Sequence, residues 1–394
     1  MRRERQVEFL QRIAEAGPRM AGLHAPASYI NPASAYTDPG RFDLELSALF
    51  RGGPVLFALS CELADSGSYV SAIVGGVPVV VIRQADRSLR AMVNACRHRG
   101  APLVDERGIG DGLAALRCPY HSWTYELDGK LRAQPGSEGA FGDVEMNCDL
   151  HRVDVAERHG MVFVRIDSDA GAALDGAAID TYLSGADDDI AAFGLADYTH
   201  IDTRSTTWRM NWKLVLDTFS ESYHIRTLHK STIAPHYLSY SVASEGFGPH
   251  GLSLGLRRSV LDELEKPQEE WDLLPHVTMQ YLLVPNIVLT HQIDHVELWR
   301  VQPIDCSTSE VTTSIYAPSE PHSENAWKYF VKNLDVLLGV TNAEDFPMME
   351  RIQRTLESGS LPDVVYGRNE PPLIHFHRSV NELLEAASSA RVDD

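Results

Sequence analysis

Two groups of residues in this chain have the types and spacing of metal ligands. The first is Cys96-Arg97-His98, followed after nineteen residues by Cys118-Pro119-Tyr120-His121. Two cysteines and two histidines can bind zinc tetrahedrally. They can also hold a [2Fe–2S] cluster, with the cysteines on one iron and the histidines on the other. A zinc finger carries both histidines on one helix at short spacing. Here each histidine has its own cysteine on a loop beside a strand, which favours the cluster. Neutral imidazole ligands raise the reduction potential above that of an all-thiolate cluster and suit an electron relay.

The second group lies in residues 211–229, NWKLVLDTFSESYHIRTLH, with Glu221, His224 and His229 among bulky apolar side chains. On a helix, positions three and four apart share a face, so Asp217, Glu221 and His224 line one stripe. His229 leaves that stripe. If both histidines grip one metal, the helix must end or bulge between them. With a carboxylate from elsewhere they would complete the facial triad of a non-haem iron(II) oxygenase. Alone, the stretch is equally an amphipathic helix with polar residues at its end.

The elements that must position these groups can be read from texture. Residues 70–74, 77–83 and 89–94 are Val- and Ile-rich runs separated by Gly75-Gly76 and Asp86-Arg87-Ser88, as strands joined by turns. Asp128-Gly129, between 116–127 and 130–133, is a hairpin signal, and 161–166 reads as a buried strand. Residues 45–167 are expected to form a small antiparallel β-domain around the first ligand group. Before it, 1–44 start as a helix (Val7, Phe9, Leu10, Ile13) and become irregular at Pro26, Pro32 and Pro39. Downstream, 277–284, 287–292, 295–302 and 310–316 read as one antiparallel sheet, the floor of a metal pocket. Helices are expected over 323–338 and 345–357. His291 and His295 read as ordinary polar positions on the sheet. His375 and His377 read as a strand end before a final helix, structural or surface.

Two further patterns are set aside. Asp187-Asp188-Asp189 has the wrong spacing for an EF-hand loop and reads as a solvated helix start. Residues 246–251, GFGPHG, match GxGxxG, but Pro249 removes a backbone donor and no strong strand precedes them. They read as a loop over the site. The net charge of −20 argues against nucleic acid and anionic membranes as partners. No apolar run of about eighteen residues is present to span a membrane, and the N-terminus lacks the apolar core of a signal peptide. Five cysteines in 394 residues fit a reducing cytoplasm rather than a disulfide framework.

Taken together, these stretches resemble the α (terminal oxygenase) subunit of Rieske non-haem iron aromatic-ring-hydroxylating oxygenases, over most of the chain. NACRHRGAPLV and RCPYHSWTYELDGKL resemble the two cluster loops, including Arg99-Gly100 and Trp123. Residues 211–229 resemble the iron-binding helix, and EDFPMMERIQRTLESG, from Glu344, resembles the segment supplying the last iron ligand. The resemblance implies an α+β fold. A small antiparallel β Rieske domain (45–167) is inserted before a larger catalytic domain (168–394) whose antiparallel sheet is flanked by helices, with 1–44 packing on the catalytic domain. It implies that Cys96, His98, Cys118 and His121 hold the cluster and that His224, His229 and Asp345 hold mononuclear Fe(II). Glu221 would bridge the iron site to a cluster histidine, His121, of the neighbouring subunit in a head-to-tail homotrimer. Glu221 stands where many ring dioxygenases have Asp, as it does in relatives that oxidise quaternary ammonium compounds. Thr218 stands where the family often has Asn.

The activity implied is oxygenation. Iron(II) bound by three protein groups keeps positions open for O₂ beside the substrate, and the cluster supplies electrons. The chain shows no flavin or NAD module, so NAD(P)H would act through a separate reductase, with or without a ferredoxin. The substrate expected is an aromatic or related small organic molecule, as in aromatic hydrocarbon catabolism. The alternative is a monooxygenase acting in N- or O-demethylation or on a quaternary ammonium compound. Leu216, Phe219, Ser222, Ile225 and Leu228 are candidate pocket residues and imply an apolar cavity. A non-catalytic electron-transfer or zinc-binding protein would have no need of His224, His229 and Asp345.

Overall fold

Alternation along the strands builds two cores from one sheet. In the strand Val77–Arg83, Val79 and Val81 face one way and pack with Val55, Phe57, Val162 and Val164. Val80 and Ile82 face the other way and pack with Cys96, Cys118, Trp123 and Tyr125. The period of two therefore gives the sheet one face for its own core and one face for the ligand loops. The structure, a computed structural model, describes every residue except 137–139, 142–146, 168–172, 240–241 and 391–394. The expected boundary at 168 lies outside the described residues. The chain falls into two units: Phe50–Tyr182 with Leu195–Asp197, and Met1–Leu49 with Leu183–Gly194 and Tyr198–Asp394.

The first unit has a seven-stranded antiparallel sheet in the spatial order Val55–Leu59, Met161–Arg165, Arg152–Arg158, Leu89–Val93, Val77–Arg83, Tyr69–Val74, Gly108–Gly110. A three-stranded sheet, Leu116–Arg117, Thr124–Tyr125 and Leu131–Ala133, stands beside it. Asp128-Gly129 turns the last hairpin as expected: Gly129 N–H donates to Glu126 O and Glu126 N–H to Lys130 O. Before that hairpin, Leu116–Arg117 and Thr124–Tyr125 are joined by a tight loop, so the second Cys–His pair lies on a loop beside a strand as expected.

The second unit is a seven-stranded antiparallel sheet. Its strands Ala243–Phe247, His250–Leu256, Val277–Leu283, Ile287–His291, Val296–Asp305 and Thr308–Ala317 are neighbours in chain order, and Thr199–Trp208 closes the far edge. Consecutive strands that pair in order need only short connections. One face is apolar, with Met279, Tyr281, Leu283 and Leu289 buried. On the other face the register sets Gly255 opposite Thr278, Gln280 opposite Thr290 and Thr290 opposite Glu297. The α+β arrangement of two antiparallel sheets with helices is the expected one.

Four local expectations change. The GFGPHG stretch is a β-hairpin, not a loop. Gly246 and Gly251 sit opposite each other, and a Cβ on Gly246 would lie 2.7 Å from the His375 ring. Gly246 therefore serves the close approach of the C-terminal helix Pro371–Ala390. His375 and His377 lie on that helix and not at a strand end, because the segment continues as one helix from Pro371. Asp189 is not solvated: the N-terminal helix Arg3–Glu15 brings Arg5 Nε to 3.2 Å from its carboxylate. Finally, the helix expected to run toward His229 is Trp212–Phe219 and stops before both histidines.

Candidate metal centres

The two Cys–His loops are one device used twice. Cys96 N–H donates to Ala101 O, and Gly100 N–H returns to Cys96 O, each at 2.8 Å. Cys118 N–H donates to Trp123 O at 2.8 Å, and Ser122 N–H returns to Cys118 O at 3.0 Å. Both loops turn through a left-handed residue at the fifth position, Gly100 at φ +74° and Ser122 at φ +59°. Glycine adopts that conformation freely, whereas in Ser122 it costs about 1–2 kcal/mol.

The loops bring all four expected cluster residues together. Cys96 and Cys118 are buried, His98 is half-buried and His121 is exposed. His98 Nδ1 and His121 Nδ1 face each other at 3.2 Å. Two imidazole nitrogens on one tetrahedral metal, each about 2.1 Å from it, stand about 3.4 Å apart, so the pair fits a shared iron. Trp123 stacks on His98 with ring centroids 5.1 Å apart. Tyr125, which sequence reasoning did not single out, sets its hydroxyl 3.3 Å from Cys96 Sγ. A hydrogen bond to a ligating sulfur is one of the levers on a cluster's potential. Burial, and then Cys96, hold the Tyr125 pKa well above the ordinary phenol value.

The second centre lies past the end of the helix Trp212–Phe219. Asn211 caps its start by accepting from Lys213 N–H at 3.0 Å, and Ser220 Oγ closes its end on Leu216 O at 2.7 Å. The chain then enters a series of turns carrying both histidines. Glu221 shapes the first turn: one carboxylate oxygen accepts from the Tyr223 and His224 backbone N–H groups, the other meets His224 Nδ1. Asp217 leaves the stripe expected of it. It points instead into a buried network, 2.5 Å from the Tyr36 hydroxyl and 2.8 Å from His377 Nε2, with Tyr366 also joined.

Asp345 reaches the histidines from a long helical rod. Glu324–Val340 and Phe346–Glu357 are joined by a π-helical turn, Thr341–Asp345, rather than by the separate helix start expected. Pro347, which cannot donate to the ladder, follows at once, where a widened turn relieves its ring. Asp345 Oδ1 lies 3.0 Å from His229 Nε2 and 3.5 Å from His224 Nε2, and Thr218 Oγ1 donates to it at 3.2 Å. Three ligands at right angles, about 2.1 Å from a metal, stand about 3.0 Å apart, so His224, His229 and Asp345 fit one metal ion. Glu344 takes the remaining face of His229: its Oε2 is 2.5 Å from Nδ1 and accepts from Thr232 at 2.9 Å. Each histidine thus has Nδ1 on a glutamate and Nε2 turned inward. Burial opposes charge on His229, but Asp345 and Glu344 outweigh it and hold its pKa above the ordinary value.

A cavity of about 590 Å³ opens on these residues within the second unit. Of the expected lining, Phe219, Ser222 and Ile225 face it; Leu216 and Leu228 do not. Most of its surface is apolar, as expected, with Ile233, Val242, Val336, Leu337 and Val340 joining Phe219 and Ile225, but one side is polar. Arg257, Thr278, Gln280, Thr290, Gln292, Asp294, His295 and Glu297 form one wall, from the polar face of the sheet. His295 is therefore a cavity residue, held by Asp294 at 2.7 Å and Glu297 at 3.1 Å. His291 is not. It stacks on Phe193, and burial pushes its pKa down to about 4.

Comparison with known proteins matches the two regions that carry these centres. Residues 53–156 match the Rieske [2Fe-2S] domain, and residues 195–386 match the ring hydroxylating alpha subunit (catalytic domain). The chain belongs to the Rieske non-haem iron oxygenases. It is an alpha subunit, the terminal oxygenase, an oxidoreductase whose two domains carry a [2Fe–2S] cluster and a mononuclear iron. A glycine betaine monooxygenase oxygenase subunit from Chromohalobacter salexigens is 32% identical over 198 residues, a match spanning 50% of this chain and only 42% of that relative. One from Pseudomonas aeruginosa is 26% identical and matches over 92% of both chains. A solved quaternary ammonium Rieske monooxygenase superposes with a TM-score of 0.76 at 23% identity, over 91% of this chain and 95% of that one, and so shares the fold. Among the described residues of this Rieske oxygenase, no helix is long and apolar enough to cross a membrane.

Sequence reasoning missed several contributors. Glu344 stood in a quoted stretch without a role, although an acid beside a metal-ligating acid is a reasonable signal. Arg257, Tyr36 and Tyr366 gave no local signal, because they reach the site only through sheet register and long-range packing.

Proposed function

We propose that this chain is a monooxygenase acting on a small, polar, N-methylated ammonium compound. Cys96, His98, Cys118 and His121 hold the cluster; His224, His229 and Asp345 hold the iron. Electrons come from an NAD(P)H-dependent reductase, directly or through a ferredoxin. Iron bound by this triad supplies O₂ activation beside the substrate, and the cluster supplies reducing equivalents. The observation that carries the substrate reading is the polar wall of the cavity, with Arg257, Gln280, Gln292 and Glu297 along one side. A polar substrate can pair with the wall's accessible donors and acceptors, whereas an aromatic hydrocarbon leaves them unpaired at a cost of about 1–3 kcal/mol each.

Three carboxylates, Glu221, Glu344 and Asp345, surround the iron position and outnumber the charge of Fe(II) by one. They favour a cationic nitrogen there, and Phe219 and Tyr329 are aromatic side chains lining the same cavity. Glycine betaine and carnitine monooxygenase subunits among the relatives support the same class. The proposed assembly is a head-to-tail homotrimer in the cytoplasm, with Glu221 facing His121 of the next subunit. Exposed His121 is compatible with it.

The test begins with anaerobically purified protein. About three irons and a Rieske-type EPR signal after dithionite are expected per chain. Asp345→Ala should remove one iron, keep the signal and lose turnover. With a surrogate reductase, glycine betaine should yield formaldehyde coupled to NADH and O₂ use. Zinc in place of iron, or cis-diol formation from naphthalene without demethylation, would overturn the proposal.

A further inference from the structure

Among the described residues, the cavity contains one cation that no acid neutralises, Arg257. Arg257 Nη2 donates to Gln292 Oε1 at 3.1 Å and contacts Thr278 Oγ1 at 3.4 Å, both neutral acceptors. Its guanidinium lies 5.4 Å from the Tyr237 ring centroid, and its Nε is buried without a partner. Every acid of the cavity is committed elsewhere. Glu297 and Asp294 hold His295; Glu221 holds His224; Asp345 takes Thr218 and faces His229. Gln292 is the spacer that keeps Glu297 off Arg257. Its Oε1 takes the guanidinium while its Nε2 donates to Glu297 at 3.4 Å. The side chain is thus oriented by three neighbours and neutralised by none.

A guanidinium held in a partly buried wall is costly without a counter-charge. Its planar fork matches a carboxylate better than any other small organic anion except phosphate. Of the cavity's other polar groups, His295 is already paired with Asp294 and Glu297, and the remaining carboxylates would repel a dianion. We propose that Arg257 binds a substrate carboxylate, so that the substrate is a zwitterion with the carboxylate on the sheet wall and the N-methyl ammonium toward His224, His229 and Asp345. The ammonium end rests on the function proposed above; the carboxylate end rests on Arg257 alone. Arg257 is then a specificity-determining residue rather than a catalytic one.

The experiment is calorimetric titration of the anaerobic holoprotein with three probes: glycine betaine, tetramethylammonium and benzoate. Wild type should bind glycine betaine at least tenfold more tightly than tetramethylammonium. Arg257→Met should erase that preference, weakening glycine betaine and benzoate tenfold or more and leaving tetramethylammonium unchanged. Arg257→Lys should be intermediate. Unaltered mononuclear iron content together with an unaltered Rieske EPR signal in both variants checks the fold of both units, and the lysine variant serves if the methionine one is unstable. A preference unchanged by both substitutions overturns the inference while leaving the ammonium reading intact. Arg257-dependent binding of benzoate, with neither ammonium compound bound, keeps the inference and overturns the ammonium reading. Failure of all three probes to bind overturns both.

Discussion

The two histidines of the iron centre differ in what holds them. His224 is gripped by a glutamate three residues earlier, so its orientation is local. His229 depends on Glu344, which arrives from another element together with Asp345. Removing such a partner usually costs 10–100-fold in metal affinity. Glu344→Ala should weaken Fe(II) binding by about that factor in competition with a chelator, with the cluster spectrum unchanged; Glu344→Gln, which still accepts from Nδ1–H, should recover most of it. Equal iron retention in all three proteins would show that Glu344 is incidental. His295 makes a different prediction. Burial opposes its charge, but Glu297 and Asp294 outweigh burial and raise its pKa above the usual value near ~6.5. A raised folded value contributes stability that is fully present below the unfolded pKa and lost as pH rises through the folded one. Wild-type Tm should therefore fall across that window relative to His295→Asn. A gap between the two proteins that does not change with pH would mean the ring's charge is not what stabilises.

Among elements, the helix Trp212–Phe219 carries the turns of the iron site and is itself fixed by a buried ion pair. Lys213 Nζ lies 2.6 Å from Glu45, each side chain only 1% exposed, and Trp212 Nε1 donates to the same carboxylate at 2.8 Å. Breaking a buried pair by removing one partner costs about 3–5 kcal/mol. Lys213→Met should lose that much in denaturant unfolding, at the low end because Arg41 also touches Glu45. A loss below about 1 kcal/mol, the size expected of an exposed pair, would rule out its role as an anchor. The same scale explains what was legible. The Val- and Ile-rich strands, the Asp128-Gly129 hairpin and the helices after 323 are written in local periodicity. The end of the site helix at Phe219 is not. The apolar pattern continues through Ile225 and Leu228, while the stop is made by Ser220 and the Glu221 carboxylate turning back on the backbone. The polar cavity wall was illegible for a similar reason. Thr278, Thr290 and Glu297 look like solvent-facing alternation, and only the sheet's register turns that face inward.

At the scale of the whole molecule, the proposed trimer predicts that the two centres of one active unit belong to different chains. Cys118→Ser lacks a complete cluster ligand set and Asp345→Ala lacks an iron ligand, so each should be inactive alone. Co-expressed in equal amounts, they should regain about a quarter of wild-type activity, since half the cluster donors and half the iron acceptors are intact at each ring interface. Activity that stays at zero in the mixture, with both proteins folded, would argue for transfer within one chain. The exposure of His121 beside the buried cysteines gives the expected direction, with the histidine edge as the electron's exit.

The π-helical turn Thr341–Asp345 makes the iron site a matter of phase. Each residue of an α-helix advances about 100° around the axis and about 1.5 Å along it. One surplus residue in the rod therefore dials Asp345 round toward the histidines while leaving buried Leu334 and Phe346 seated on either side. Deleting Asn342 would remove no ligand and no packing side chain. It would still turn the carboxylate roughly a quarter revolution out of step, so here an address is spelled by how many residues there are and not by which ones.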